Sequence, residues 1–142
     1  MQKNLEQIIN TILHSSELLE EEMKQESELK NLTSRQLYCI EMVMVLQNPT
    51  LTELAEKMKI AKASMSVMTE RLAKHGYIEK ITSDNDRRIA HMHLTKKGDV
   101  AAQLHQQLHK RIAVLLTAEM TDSEKEILIV LLNKSVNTLL KR

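Results

Sequence analysis

Residues that interrupt helices are scarce in this 142-residue chain, which contains two Gly and one Pro. A β-sandwich or barrel needs a turn about every 8–12 residues, and tight turns depend heavily on these two residue types. The sequence therefore predicts a mainly α-helical protein. Apolar residues make up 42% of the chain and charged residues 27%, as in ordinary globular domains, which argues against a disordered or collagen-like chain.

Apolar residues recur at the three- and four-residue spacing of amphipathic helices along most of the chain. Thr33, Thr50 and Thr121 each precede a Gln or Glu by three residues, which predicts capping boxes where three helices begin. Thr95 is predicted to cap a further helix. The predicted helices cover residues 2–27, 33–47, 51–58, 62–75, a segment that starts after Thr95, and a segment from Thr121 to Leu140.

One segment departs from the helical period. Residues 77–82 and 89–94 are β-prone and are separated by a polar turn, which predicts a two-stranded hairpin. Gly76, just before it, suits the left-handed position that follows a helix end. Two short helices followed by a hairpin are typical of a winged helix-turn-helix, in which the second helix of the pair enters the DNA major groove.

Positive charge is concentrated in the same region. Residues 57–97 carry ten Lys and Arg against four Asp and Glu, whereas residues 1–30 carry three Lys against seven Glu. A focused basic region is what a polyanion site requires. We therefore expect a DNA-binding lobe at 33–97, a dimerisation helix and link at 1–32, and C-terminal dimerisation helices at 98–142, within one integrated domain. The apolar stripes on the flanking helices are too long for one small domain to cover, which predicts a homodimer.

The predicted DNA contacts follow from the helix and the turn of the hairpin. With Met68 taken as facing the core, the opposite side of the helix at 62–75 is small and polar, with cations near both ends. Arg87 and Arg88 lie in the turn, where Asp86 is predicted to orient Arg88. The predicted DNA-binding residues are Thr50, Lys62, Ala63, Ser64, Ser66, Thr69, Glu70, Lys74, Asp86, Arg87 and Arg88.

Several other classes of protein find no support. No phosphate-binding Gly-rich loop, H-E-x-x-H or G-x-S-x-G motif is present, so no enzyme, catalytic residue or cofactor is expected. The chain has no apolar run long enough for a membrane span and no signal peptide at its start, and its single Cys forms no internal disulfide. These features predict a cytoplasmic protein. Cys39, in an apolar helix, is expected to be buried and unreactive.

The stretch "LAEKMKIAKASMSVMTERLAKHGYIEK" followed by "DNDRRIAHMHLTKKG" resembles the MarR family of bacterial transcription regulators. The resemblance covers essentially the whole chain and implies a homodimeric repressor that binds a palindromic operator and responds to a ligand. Ala61 departs from the family pattern, since relatives often have a capping residue there. The segments "SDNDRRIAHMHLTKKG" and "LHQQLHK" are most similar to regulators of fatty-acid synthesis in Gram-positive bacteria, which implies an acyl ligand carried on acyl carrier protein.

A hydrophobic effector pocket is predicted between the second and fifth helices, where His at i,i+4 and a Tyr offer polar anchors on an aliphatic surface. Its predicted lining is Leu37, Tyr38, Met42, His105 and His109. Because some MarR-family members are zinc sensors that use a His pair on this helix, a zinc-responsive regulator of the same fold is an alternative, although we assign no metal site. A helical protein–protein adaptor that never touches duplex DNA is a second alternative.

Overall fold

The computed structural model describes residues 2–142 and confirms the predicted fold class, mainly α with a small β-hairpin. The helices are α1 (Leu5–Gln25), α2 (Ser34–Val45), α3 (Leu51–Met58), α4 (Lys62–Lys74), α5 (Lys96–Leu116) and α6 (Asp122–Leu140), and the strands are β1 (Ile78–Thr82) and β2 (Ala90–Leu94). A short 3-10 helix, Glu28–Asn31, occupies what the sequence indicated only as a link. No helix in the described part of the chain is long and apolar enough to cross a membrane.

Local hydrogen bonds fix the helix starts where the sequence predicted them. Reciprocal capping boxes form at Thr33, Thr50 and Thr121. A fourth box, at Asn4, was not predicted. Each box satisfies backbone N–H groups that have no partner within the first turn of a helix. Ala61 precedes α4 without any side-chain cap, as expected from its methyl side chain.

The chain forms two compact units, Met1–His109 and Lys110–Arg142. In the first unit, buried residues of α2, α3, α4 and the hairpin form one core, which includes Leu37, Ile40, Leu54, Met65, Leu72 and Met92. In the second unit, α6 buries none of its 19 residues. The division of the chain at residues 32 and 97 stays a prediction.

The hairpin is tied to the helices through backbone groups. β1 and β2 pair antiparallel, with Lys80 opposite Met92. The Met92 N–H donates to the Pro49 carbonyl at 2.8 Å, which joins β2 to the segment before α3. The Thr95 hydroxyl donates to the carbonyl of Gly76 and accepts from the Gly98 N–H. It therefore caps α5, as predicted, and also binds that helix to the end of α4.

Candidate nucleic-acid interface and histidine cluster

Helix α4 presents one face to solvent, and that face differs from the predicted one. Met65, Thr69 and Leu72 are buried at i, i+4 and i+7, so the core side is centred on them and not on Met68. At about 100° per residue, the outward direction then passes close to Val67. The exposed residues of α4 are Lys62, Ala63, Ser64, Val67, Glu70, Arg71 and Lys74.

Thr69 corrects the predicted set of DNA contacts. Its side chain is completely buried, and its hydroxyl donates to the Ser66 carbonyl at 3.1 Å. Because that bond satisfies the hydroxyl within the helix, Thr can occupy a core position at little cost. A side chain enclosed by the core cannot reach a base edge, so the predicted facing of Thr69 is wrong. Ser66 is half-buried at the flank of the exposed face.

The turn of the hairpin confirms the predicted pairing of Asp86 with Arg88. The Asp86 Oδ1 accepts from the Arg88 backbone N–H at 3.0 Å and from Nε at 3.2 Å. These hydrogen bonds hold the pKa of the Asp86 carboxyl below its ordinary value. The Arg88 side chain nevertheless remains 92% exposed. The ion pair thus orients a guanidinium that is still free to contact an anion.

A cleft of about 420 Å³ separates the start of α3 and α4 from the hairpin. Its cationic lining comes from Lys62, Lys80 and Arg88, and Thr50 and Thr52 add hydroxyl groups. Lys80 was not predicted. Its side chain is 32% exposed, and its Nζ lies 3.9 Å from the Glu70 carboxylate. Three cations converge on this cleft, of which Lys80 is paired with Glu70 and Arg88 with Asp86. Together they form a surface suited to the phosphates of a duplex.

The predicted pocket residues divide between core and surface. Leu37 and Met42 are buried in the core, whereas Tyr38 is 40% exposed and His109 is exposed. The rings of His105 and His109 lie 4.2 Å apart between centroids, so the structure brings the His pair together. A pocket formed by all five residues stays a prediction.

Glu41, which the sequence reasoning missed, completes a cluster with the two histidines. The His105 Nδ1 lies 2.9 Å from Glu41 Oε2, and its Nε2 lies 3.9 Å from Glu20 Oε1. Burial of the imidazole and the nearby His109 lower the pKa of His105, against the opposing effect of the two carboxylates. We therefore describe His105 as neutral, donating Nδ1–H to Glu41. One ligand atom from each of Glu41, His105 and His109 lies within 4.8 Å of the others, a spacing compatible with one metal ion.

Cys39 behaves as the sequence predicted. Its side chain is fully buried, and its Sγ lies 4.0 Å from Met65 Sδ. Desolvation raises the pKa of the thiol to about 12. Because the thiolate is the reactive species, this shift disfavours reaction at Cys39, which packs between α2 and α4.

The match with a known protein family includes the helices α3 and α4 just described. The model of the MarR family matches residues 32–90, which span α2 to the start of β2. Over this region the chain is similar to the MarR family. Among curated relatives, the chain is 33% identical over 79 residues to the transcriptional repressor MprA of Escherichia coli (strain K12), a match covering 52% of this chain and 45% of MprA.

Other relatives extend the match along the chain. The HTH-type transcriptional repressor MdtR of Bacillus subtilis is 26% identical over 102 residues, which cover 69% of this chain and 66% of MdtR. The match with MprA, by contrast, spans only about half of that relative's length. The relatives named here are described as transcriptional repressors and not as enzymes.

Solved structures share the fold over nearly the whole chain. FabT of Streptococcus pneumoniae, in complex with DNA, has a TM-score of 0.82 at 23% identity and covers 96% of this chain and 93% of its own. A mutant of E. coli MarR, complexed with operator DNA, has a TM-score of 0.70 at 23% identity and covers 92% of each chain. At these identities the likeness establishes the MarR fold.

The sequence reasoning missed three residues of the candidate sites for different reasons. Val67 could have been found by centring the helix on Met65 and Leu72. Lys80 lies on a strand that was placed correctly, but its proximity to Glu70 on α4 depends on how the hairpin packs. Glu41 is separated from His105 by 64 residues, so only the fold reveals their contact.

Proposed function

We propose that the protein is a transcriptional repressor of the MarR family that binds a palindromic operator in double-stranded DNA as a homodimer. The observation that carries this proposal is the exposed face of α4, which lies beside the cationic cleft formed with the hairpin. A major groove about 12 Å wide admits such a helix, and the minor groove attracts Arg side chains. A regulator of this kind would act in the cytoplasm.

The roles proposed for the two elements differ. Arg88, on the turn of the hairpin, is suited to the phosphates and to the potential of the minor groove, which vary little with sequence. Ser64 and Ser66 on α4 offer hydroxyl groups to base edges, and Lys62 offers a cation at the helix start. Arg88 therefore contributes to affinity for any duplex, and the serines contribute to the choice among duplexes.

Replacing Arg88 with alanine should weaken binding to operator and scrambled duplex alike. The slope of log K against log salt should also flatten by about 0.9, the value for one lost phosphate contact. Ser66→Ala should cost less overall and relax preference at particular base pairs, each worth about 1–3 kcal/mol. The measurement is fluorescence anisotropy of both duplexes at several salt concentrations.

Arg111→Ala is the matched control for that experiment. It removes the same charge from an exposed position on α5 outside the DNA-binding region, so its salt slope should equal that of the parent. Unchanged binding of both duplexes by Arg88→Ala would contradict the role given to the hairpin. A parent protein without salt-steep duplex binding would favour the protein–protein adaptor instead.

The homodimer accounts for helices whose apolar faces lack cover. α6 exposes eight large aliphatic side chains, and α1 exposes six. Burying such faces against a second copy would stabilise both chains and repeat the DNA-binding lobe about a two-fold axis. Half-sites about 34 Å apart, one turn of B-DNA, would then match the two lobes.

The ligand proposed is a long-chain acyl group, presented on acyl carrier protein, in the manner of regulators of fatty-acid synthesis. The segments quoted above for that subgroup support this, as does the likeness in fold to FabT of Streptococcus pneumoniae. The cluster of Glu41, His105 and His109 would form the polar end of the pocket, with Tyr38 as a second anchor. Leu37 and Met42 would contact the chain once the core opens.

A zinc-responsive regulator is the second candidate, favoured by the convergence of Glu41, His105 and His109. Glu41 Oε2 lies 2.9 Å from His105 Nδ1, so zinc would take the place of the proton between them and His109 would be the third ligand. Three protein ligands fall short of the four that structural zinc sites use. Water would have to supply the fourth, because the carboxylate of Glu20 lies on the Nε2 side of the His105 ring.

One titration separates the two effectors. Operator affinity is measured with Zn²⁺ alone and with long-chain acyl carrier protein alone, for the parent, Tyr38→Phe and His109→Ala. An acyl effector should shift the parent's affinity and lose that shift in both variants, whereas zinc should lose it only in His109→Ala. If neither variant alters any response, the effector site lies elsewhere.

A further inference from the structure

An aliphatic side chain occupies the centre of the surface that α4 presents to solvent. Val67 is 59% exposed, and its neighbours one turn away in either direction, Ala63, Ser64, Glu70 and Arg71, are exposed as well. On a helix face that contacts only solvent, long charged residues at this position would favour both solubility and helix formation. Val offers neither advantage, and contact with a partner would account for its place at the centre of the face.

The surroundings of Val67 leave its two methyl groups accessible to a flat surface. Ala63 and Ser64, one turn towards the helix start, have side chains too short to cover it. Glu70, one turn towards the end, lies 3.9 Å from Lys80 on β1, and this ion pair draws its carboxylate towards the hairpin. Val67 is therefore the aliphatic contact point of the exposed face, with small residues before it and charges after it.

The charges around this face indicate which partner covers it. Lys62 lies at its start, Arg71 and Lys74 lie near its end, and Arg88 projects from the hairpin. Cations that flank an apolar centre complement a double helix, whose phosphates border a groove of base edges. An apolar protein partner would instead meet uncompensated positive charge on two sides.

We infer that Val67 is a specificity residue that selects thymine in the major groove, by contact between its methyl groups and the thymine C5-methyl. This inference rests on the proposed function and adds the base that this residue recognises. Thymine alone presents a methyl group in the major groove, and an aliphatic side chain can contact it without leaving a hydrogen-bonding group unpaired. Val67 has no donor or acceptor in its side chain, so it cannot recognise the other bases by hydrogen bonds.

The test removes the C5-methyl group of thymine from the DNA and, separately, the methyl groups of Val67 from the protein. A duplex bound tightly by the parent is first selected from a random-sequence pool, and each thymine is then replaced singly by deoxyuridine. Loss of one buried methyl should weaken parent binding about fourfold at one position of each half-site. In Val67→Ala that position should become insensitive to the replacement, while the other thymines behave as in the parent.

Val45→Ala is the matched control, because Val45 is also exposed, at 52%, and lies on α2. It should keep the parent's full pattern of sensitivity to deoxyuridine. Alanine is a better helix former than valine, so neither variant should lose its fold. If Val67→Ala retains every sensitivity of the parent, the inference is wrong while the proposed function stands. Failure of the pool to yield any duplex for the parent would overturn both.

Discussion

Replacing Gly98 with alanine should destabilise the first unit by about 3 kcal/mol, although alanine normally stabilises a helix relative to glycine. A Cβ at position 98 would overlap the Tyr77 carbonyl oxygen and lie 3.2 Å from Leu94 Cδ2. The first of these is a backbone atom that cannot move aside. That carbonyl also accepts from the Thr95 N–H at 3.1 Å, so a displacement there would break the junction between α4, the hairpin and α5.

The measurement is urea unfolding followed by circular dichroism at one fixed protein concentration, because the stability of a dimer depends on concentration. Gly76 supplies the control. It has φ +82° and no close neighbour, since its added Cβ would meet only Lys97 Cδ at 3.9 Å. Asn tolerates the left-handed region. Its substitution should therefore lower the free energy of unfolding only slightly at position 76 and strongly at position 98. A Gly98→Ala variant as stable as the parent would show that α5 does not approach Tyr77 this closely.

The helices and the hairpin were predictable because their signals are local. Thr50 and Glu53 form the capping box that their spacing indicated, and Gly76 adopts the left-handed backbone that a residue after a helix end requires. Each of these outcomes depends on residues within one turn of each other. The sequence reasoning did not predict that Gln47 and Asn48 both adopt positive φ, where their N–H groups donate to the Met44 and Val43 carbonyls at the end of α2.

Prediction of the DNA-binding face was limited by one assumption about α4. Met68 is a long apolar side chain, so its choice as the centre of the core face was natural, but it is only partly buried and the smaller Thr69 is enclosed. A difference of about 60° in the centre of the core face moves Thr69 inside and Val67 outside. The order of the elements identified α4 as the candidate DNA-binding helix, whereas the structure was needed to show which of its residues are exposed.

The cluster around His105 shows a different limit. The i,i+4 spacing of His105 and His109 was visible in the sequence, and their proximity follows from helix geometry alone. The carboxylates of Glu20 and Glu41 come from two other helices. Contacts between distant segments depend on how helices pack, and no spacing in the chain reports them.

Placing two charges on the apolar face of α6 should abolish both dimerisation and tight operator binding. Leu132 and Leu139 lie on one side of the helix, at i and i+7, and are 53% and 60% exposed. In a two-fold dimer each substitution occurs twice, and each buried Leu contributes about 1.5–3 kcal/mol. Leu132→Glu with Leu139→Glu should therefore weaken the dimer by at least about a hundredfold.

Sedimentation equilibrium measures the dissociation constant of the dimer. Fluorescence anisotropy with a full palindrome and with a single half-site measures how loss of the dimer changes the affinity for DNA. Asn133→Glu with Asn137→Glu is the control, since it adds the same charge to exposed polar positions of α6 and should leave both properties near those of the parent. The apolar variant should bind the palindrome no better than the half-site, because one lobe then acts alone. A parent chain that sediments as a monomer at micromolar concentration would contradict the proposed dimer, and the aliphatic face of α6 would then require a different partner.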